Sequence, residues 1–595
     1  MNKIFYYLKP FKKKLIISIV FLLIWSIVIS LIPLFEGKYV IDFIKKNSSA
    51  AANNLDFHNY LKYIIVFLFI NFILYLCCTL CKFIYNRLLI SSLHKAIKNI
   101  RNDLFKKIHK LPIKYFDNNT IGGVISNLTD DVEVFSNGLQ QTCASLISSF
   151  LSLFVLVCLM FWVNFRLGIF VFLIIPLSLI SIFIINKKSS NIFIKRFNTT
   201  GEYNGFLQEK YTGHKEIILF NQQNKVIEEF ELVNKKLSNL IFKSNFLSGL
   251  SVPIVNSFTY IILTFMIVLG YYLMNPELLQ NSKVLVKLGF IPIQLGLFQA
   301  FIQYVWRVGN PINDLSQIFV ILQSTMAAFR KICIFLNENE EEVEKEFFNL
   351  QKIEGSVVFS NVFFGYQKNK PIIKNMNLVV QKNQMIAIVG PTGSGKTTLI
   401  NLLTRFYDVD SGSITIDGID IRKLKKTKLR QILGIVFQDI WLFKGTILDN
   451  IRYGDFTKTE QQVIEVAKKL QIHDFIMSKE NGYHTVVDEE SDSLSQGEKQ
   501  LITISRTLLR NPNILILDEA TSTIDTTIES LIQKSIQKLL QKRTSFVIAH
   551  RLSTIVNADI ILVFNDGVIV EKGNHYELIE KKGFYYNLYQ SQFSK

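Results

Sequence analysis

The sequence predicts two folds in one chain: an α-helical six-span transmembrane domain, then an α/β domain. Three observations predict it. Six apolar stretches before residue 307 each come close to or exceed the roughly 20 residues a helix needs to cross a bilayer. From about residue 352 short β-rich segments alternate with helical ones, the signature of an α/β layer. The bulk numbers agree, since 49% hydrophobic residues and a mean hydropathy of +0.27 are high for a soluble chain of 595 residues.

The six stretches lie near 14–35, 60–83, 140–163, 167–186, 247–274 and 285–306. The last carries Gln294, Gln299 and Gln303, and polar groups in a span face protein or a watery cavity. No Asp or Glu lies inside the stretches, and no ring of basic residues marks mid-membrane. Met1 to Lys14 reads as a cytoplasmic tail entering a retained span, because the apolar run is too long for a signal-peptide core. Lysine and arginine then set the orientation. They crowd the tail and the segments 84–139 and 187–246, which places both termini and both long loops in the cytoplasm of a multi-pass cell-membrane protein. Those loops have helical periodicity, so the helices flanking each are expected to run on past the membrane and meet at a tip.

A transmembrane domain over 1–335, a linker over 336–351 and a soluble domain over 352–595 follow. The acidic run from Glu338 to Glu344 in the linker reads as a solvated face. The formal charge of +18 is spread beside the apolar runs rather than gathered into a patch with interleaved aromatics, which argues against nucleic acid as a partner. Cys78 and Cys81 have C-x-x-C spacing, but a lipid-embedded helix uses cysteine as a small apolar residue and no βαβ context surrounds them.

The soluble half carries the chemistry. Gly390-Pro391-Thr392-Gly393-Ser394-Gly395-Lys396-Thr397 matches G-x-x-x-x-G-K-[ST] between a buried-strand run, Met385 to Val389, and an amphipathic helix beginning at Thr398. Glycines there let backbone N–H groups close around phosphate oxygens. Lys396 reaches the β- and γ-phosphates and the Thr397 hydroxyl can hold Mg²⁺. The expected soluble fold is therefore an α/β P-loop nucleotide-binding domain taking ATP. A second aliphatic run, Ile514 to Leu517, ends in Asp518-Glu519. Asp518 is placed to hold the Mg²⁺ shell and Glu519 to deprotonate the attacking water.

Three more segments join these: Leu494-Ser495-Gln496-Gly497-Glu498 before a helix, Gln438 after a strand over 432–437, and His550 at the end of a strand over 546–549. Together the set closely resembles the ATP-binding-cassette (ABC) transporters. With six spans first and the cassette second, the whole chain is similar to the exporter half-transporters of the multidrug and lipid type, whose fold is called type IV. The resemblance implies that Tyr366 stacks on adenine, that Gln438 touches Mg²⁺ and the water, and that His550 holds the γ-phosphate. It implies that Asp525 crosses a dimer interface and that Ser495 and Gly497 cap ATP held by a partner chain. It also implies that the tips, 115–131 and 209–220, insert into cassettes and carry motion to the spans.

One departure stands out. The family's usual Leu-Ser-Gly-Gly-Gln is changed by Gln496, which puts a side chain where backbone approaches phosphate, and by Glu498, whose carboxylate adds repulsion near the γ-phosphate. This wording is most like the subunit of heterodimeric multidrug exporters that keeps the catalytic Glu. The expectation is a half-transporter in a dimer, a heterodimer in preference to a homodimer, using ATP and Mg²⁺ to export hydrophobic or amphipathic substrates. A lipid floppase is the alternative, and an ATP-gated regulator or channel the alternative of another class.

Overall fold

Inside a bilayer no water solvates a backbone N–H or C=O, so each crossing segment must close its hydrogen bonds within itself. The chain does this with long helices, α1 (Lys12–Phe35), α2 (Phe57–Ile108), α4 (Asp130–Val163), α5 (Ile174–Thr212), α7 (Gln223–Gly249), α8 (Ser251–Met274) and α9 (Leu295–Asn337), and two short ones are α3 (Ile113–Asn118) and α6 (His214–Leu219). The computed structural model describes residues 2–42, 57–282, 287, 290–341, 353–367, 370–488, 494–518, 526–548 and 555–593. Among them are six helical segments long and apolar enough to cross a membrane, in agreement with the sequence. The segments read as long loops are helical, and the short helices α3 and α6 stand between the long ones.

The chain divides into two compact units, Met1–Lys110 with Asn119–Asn339, and Leu111–Asn118 with Glu340–Lys595. The first unit packs α9 along α4 and α1 along α2. Its buried apolar cluster includes Leu156, Met160, Ile174, Val255, Met266 and Phe301. After α1 the chain takes one widened π-helical turn, Glu36–Ile41. Lipid tails are as apolar as leucine, so helices in a membrane associate through small-residue contacts and hydrogen bonds. Both occur here. A Cβ on Gly37 would lie 2.1 Å from the Gly296 carbonyl oxygen, and one on Gly296 would lie 1.9 Å from that of Gly37. The Gly296 N–H donates to Asp42 Oδ1 at 2.8 Å. Glu36 accepts from Asn71 Nδ2 at 2.9 Å and from Gln303 Nε2 at 2.8 Å, so Gln303 does face protein. All six cysteines are free.

In the second unit, β1 (Val357–Phe364), β2 (Ile373–Val380), β4 (Ser411–Ile416) and β5 (Ile419–Asp420) form an antiparallel sheet in the order β2-β1-β4-β5. The larger sheet is built from β3 (Met385–Val389), β6 (Leu433–Val436), β7 (Ile514–Asp518), β8 (Thr544–Ile548), β9 (Ile560–Asn565) and β10 (Val568–Gly573). Its order is β10-β9-β3-β8-β7-β6, parallel except for β10. Strands covered on both faces read as unbroken aliphatic runs. Leu515 and Leu517 enter one buried cluster, and Ile514 and Ile516 enter the other.

Among the described residues of the acidic run, Glu341 is not simply solvated. Glu341 pairs with Arg430 at 2.6 Å and with Lys426 at 3.3 Å. Burial alone would raise the Glu341 carboxyl, but the two cations outweigh it and hold the group below the usual range.

Since both approaching groups at Gly37 and Gly296 are backbone, neither can swing aside. Gly296→Ala is expected to cost about 1–3 kcal/mol as overpacking. Gly201, with nothing within 4 Å of its Cβ position, is the control: Gly201→Ala in mid-helix should be neutral or stabilise by up to about 1 kcal/mol. The fraction of monodisperse protein left after heating in detergent measures both.

Candidate functional site

Four parallel strands, β3, β8, β7 and β6, end side by side, and ligands of such sheets bind outside the carboxyl ends of the strands. The P-loop leaves β3 and enters α10 (Lys396–Leu403). Gly390 has φ +151°, and a Cβ there would sit 2.2 Å from the Phe564 carbonyl oxygen, so only glycine lets the loop turn this close to β9. Gly393 and Gly395 also have positive φ. Pro391, Thr392 and Thr397 are exposed, while Ser394 and Thr398 are buried.

Lys396 Nζ donates to the carbonyls of Gly390 and Pro391, both at 2.8 Å, which folds the side chain over its own loop. Burial pushes the Lys396 pKa down, and the Asp518 carboxylate works against that shift. A polyphosphate would supply the counter-charge that burial demands. Among the described residues the buried Ser394 hydroxyl has no hydrogen-bond partner, a cost the fold carries unless an acceptor arrives. The orphaned hydroxyl, the desolvated ammonium and the loop's glycine turns all fit a phosphate chain.

Asp518 ends β7, in register with Ile548 of β8. Gln438 lies exposed two residues past β6. With the Thr397 hydroxyl these give hard oxygen donors of the kind Mg²⁺ takes. Among the described residues no group of three His, Cys, Asp or Glu could hold a metal alone. Glu519, His550 and Asp525 lie outside the described residues.

Tyr366 stands at the other end of the loop, 39% exposed, edge-on to Phe364 and Tyr407 with ring centroids 5.1 Å and 4.9 Å away. Asn401 Nδ2 donates to its hydroxyl at 3.0 Å. Tyr407 in turn donates to the Asp117 carboxylate on α3, a loop-tip residue that belongs to this unit. Burial, and then Asp117, raise the Tyr407 pKa, so the phenol stays a donor. Sequence reasoning missed Asn401 and Tyr407, since no spacing rule links a helix residue to an aromatic 35 positions away or a tyrosine to an aspartate 290 away.

Ser495 is the N-cap of α11 (Gln496–Arg510). Gln496 is exposed in the first turn and Gly497 is buried. Glu498 does not point its charge at open space. Its Oε2 accepts from the Ser495 N–H at 2.7 Å, and its Oε1 pairs with Lys479 at 3.1 Å. The carboxylate for which the sequence suggested repulsion is thus paired with a lysine in this structure. Ser-x-x-Glu is the spacing of a capping box, and that signal was legible. Lys479 was not, because nothing in sequence marks a partner 19 residues upstream.

The family model described as "ABC transporter transmembrane region" matches residues 15–297, and the one described as "ABC transporter" matches residues 373–522. The chain is 38% identical to a fatty acid ABC transporter ATP-binding/permease protein of Mycobacterium bovis, over 87% of its own length and 79% of the relative's. This chain belongs to the ABC transporter family. The transporter is also 34% identical to an ATP-dependent lipid A-core flippase of Shigella flexneri, with 84% of each chain covered. A solved structure of a bacterial Atm1-family ABC exporter with ATP bound matches it with a TM-score of 0.78 at 25% identity, over 98% of this chain and 99% of the other. The transporter binds and hydrolyses ATP to drive export, and it is a multi-pass membrane protein with a cytoplasmic cassette. Half-transporters of this type work as dimers.

The capping box yields a graded prediction for the ABC transporter's cassette. Glu498→Ala removes both contacts and should cost about 1 kcal/mol, within the 0.5–2 kcal/mol range for lost caps. For a domain of this size that is a fall of about 2–4 °C in Tm. Glu498→Gln keeps the bond to Ser495 and loses the Lys479 pairing, so its Tm should fall by less. Differential scanning of the full chain separates the two, and equal losses would assign the effect to Lys479 alone.

Proposed function

We propose that this half-transporter exports amphipathic, lipid-like molecules across the cytoplasmic membrane, with ATP bound and split at the P-loop site. The observation that carries the reading is the fusion of six apolar helices to a cassette whose loop holds a desolvated lysine and an orphaned serine hydroxyl. The relatives' printed substrates, a fatty acid and lipid A, favour lipids over the wider multidrug range.

Each residue then has one task. Backbone amides of Thr392 to Thr397, with the Ser394 hydroxyl, wrap the phosphates. Lys396 moves from its carbonyl partners to the β- and γ-phosphate oxygens. Thr397, Asp518 and Gln438 would hold Mg²⁺, which when bound neutralises developing phosphate charge. Tyr366 stacks on adenine, with Pro391, Thr392, Gly393, Gly395 and Thr398 shaping the pocket around the nucleotide. Glu519 takes the proton of the attacking water and His550 steadies the γ-phosphate. Asp525 meets the partner cassette, and Ser495, Gln496, Gly497 and Glu498 face the partner's ATP.

The dimer is a heterodimer in this reading. The capping box spends the Ser495 N–H on Glu498, and Gln496 puts a side chain on the first turn of α11. Both changes weaken the phosphate-facing end of this helix while the P-loop stays intact. A partner with a standard signature would complete one fast site with this chain's P-loop, leaving a slow site opposite.

Two measurements test this. In proteoliposomes, Glu519→Gln should keep ATP binding and lower hydrolysis and lipid movement by about 10²–10⁴-fold, the usual weight of a general base, whereas Lys396→Ala should abolish both. Loss of ATP binding in Glu519→Gln would make that residue structural. The chain expressed alone should turn over ATP slowly. Fast, cooperative hydrolysis with coupled transport and no second chain would establish a homodimer.

A further inference from the structure

The first unit holds a cavity of about 350 Å³ among α1, α2, α4 and α9. The sequence placed no charged cluster there, because its last span was closed at residue 306. Helix α9 continues through Asn337, and its next turns bring Arg307 and Asp314 to the cavity wall. Lys82 of α2 and Trp25 of α1 line it too, with the ammonium 4.9 Å from the indole ring centroid.

The charges are unevenly matched. Arg307 donates to the Ile29 backbone carbonyl, which ties α9 to α1. The Ser149 hydroxyl donates to Asp314 Oδ2 at 3.2 Å. Among the described residues neither Lys82 nor Arg307 has a carboxylate within ion-pair distance. Two cations face one carboxylate, so the wall has a net charge of plus one. A lysine kept on a membrane helix with only an indole face beside it is costly unless it meets a charge in a wet cavity. The volume lies at the small end of ligand pockets. It suits a compact head group and the first methylenes of a chain, with the rest of the chain lying along apolar helix surface.

We infer that this cavity seats the head group of an amphiphile carrying a single negative charge. Lys82 is the mobile counter-charge, Arg307 the fixed one, and Trp25 covers the first methylenes. Asp314 offsets one of the two cations, so one negative charge neutralises the wall and a second goes uncompensated. The head group is either the carboxylate of a free fatty acid or the phosphodiester of a glycerophospholipid. The inference rests on the amphiphile-export reading and narrows it.

The test uses the full-length transporter, as the dimer it forms, in phosphatidylcholine nanodiscs and proteoliposomes. Four labelled probes are bound: oleate, phosphatidylglycerol, oleyl alcohol and oleylamine. At least one anion should bind about tenfold more tightly than the alcohol, the scale of one charge-assisted hydrogen bond. Whichever anion does so identifies the source of the head group. Lys82→Met should bring that preference within about twofold, Lys82→Arg should retain it, and Lys82→Glu should shift it toward the amine. The arginine variant keeps the test decisive should the methionine variant fold poorly. An unchanged preference in Lys82→Met, or an equal loss for anion and alcohol, overturns the inference. ATP-dependent flux of alcohol or amine without preference for an anion overturns the seat and leaves amphiphile export standing. Absence of flux for every probe, with ATP hydrolysis intact, overturns both.

Discussion

The membrane half is governed by one constraint: a backbone polar group in hydrocarbon has no water to turn to. Helices therefore run uninterrupted for as many as 52 residues. Side-chain hydroxyls obey the same rule by bonding back to the preceding turn, as Ser30 does to the Ser26 carbonyl at 2.7 Å and Ser92 to that of Leu88 at 2.7 Å. Where a carboxylate does enter, at Glu36, amides from α2 and α9 close around it. The polar content of this unit is thus concentrated at a few junctions between helices. The Glu36 junction and the Lys82–Arg307–Asp314 wall differ in kind, since the first is satisfied by neutral donors and the second carries surplus charge.

The cassette meets a different demand, which is to hold a phosphate-binding loop ready for substrate. Its glycines permit the turn, while the desolvated Lys396 ammonium and the Ser394 hydroxyl, without a partner among the described residues, carry the cost. Two buried clusters on opposite faces of the six-stranded sheet hold the loop in place. At α11 the opposite choice is made. Glu498 and Ser495 satisfy each other, so that helix end is already content.

Much of this was legible in sequence where a short-range rule applies. Hydrophobic length marked the six spans, and doubly buried parallel strands marked themselves as aliphatic runs beside the P-loop and Asp518. Span ends were less legible. A helix that leaves the bilayer changes composition without changing structure, which is why Arg307 and Asp314 fell outside the reading. Glu498 shows a different failure. Its Ser-x-x-Glu spacing carries a capping-box signal, but the sequence reading treated Glu498 only as a departure from the signature. Contacts such as Tyr407 with Asp117, Lys479 with Glu498 and Glu341 with Arg430 depend on the tertiary fold and leave no local pattern.

The hydrogen bond between Asp117 and Tyr407 joins residues 290 positions apart. A ribosome adding 5–20 residues per second needs roughly 15–60 s to make the tyrosine after the aspartate. During that interval α3 has been made but its docking surface has not. The loop tip must wait, exposed, while spans insert, and the cassette closes around a segment made long before it. The order of synthesis therefore sets the earliest moment at which this contact can form. A delay late in translation would prolong the time that an early segment goes unguarded.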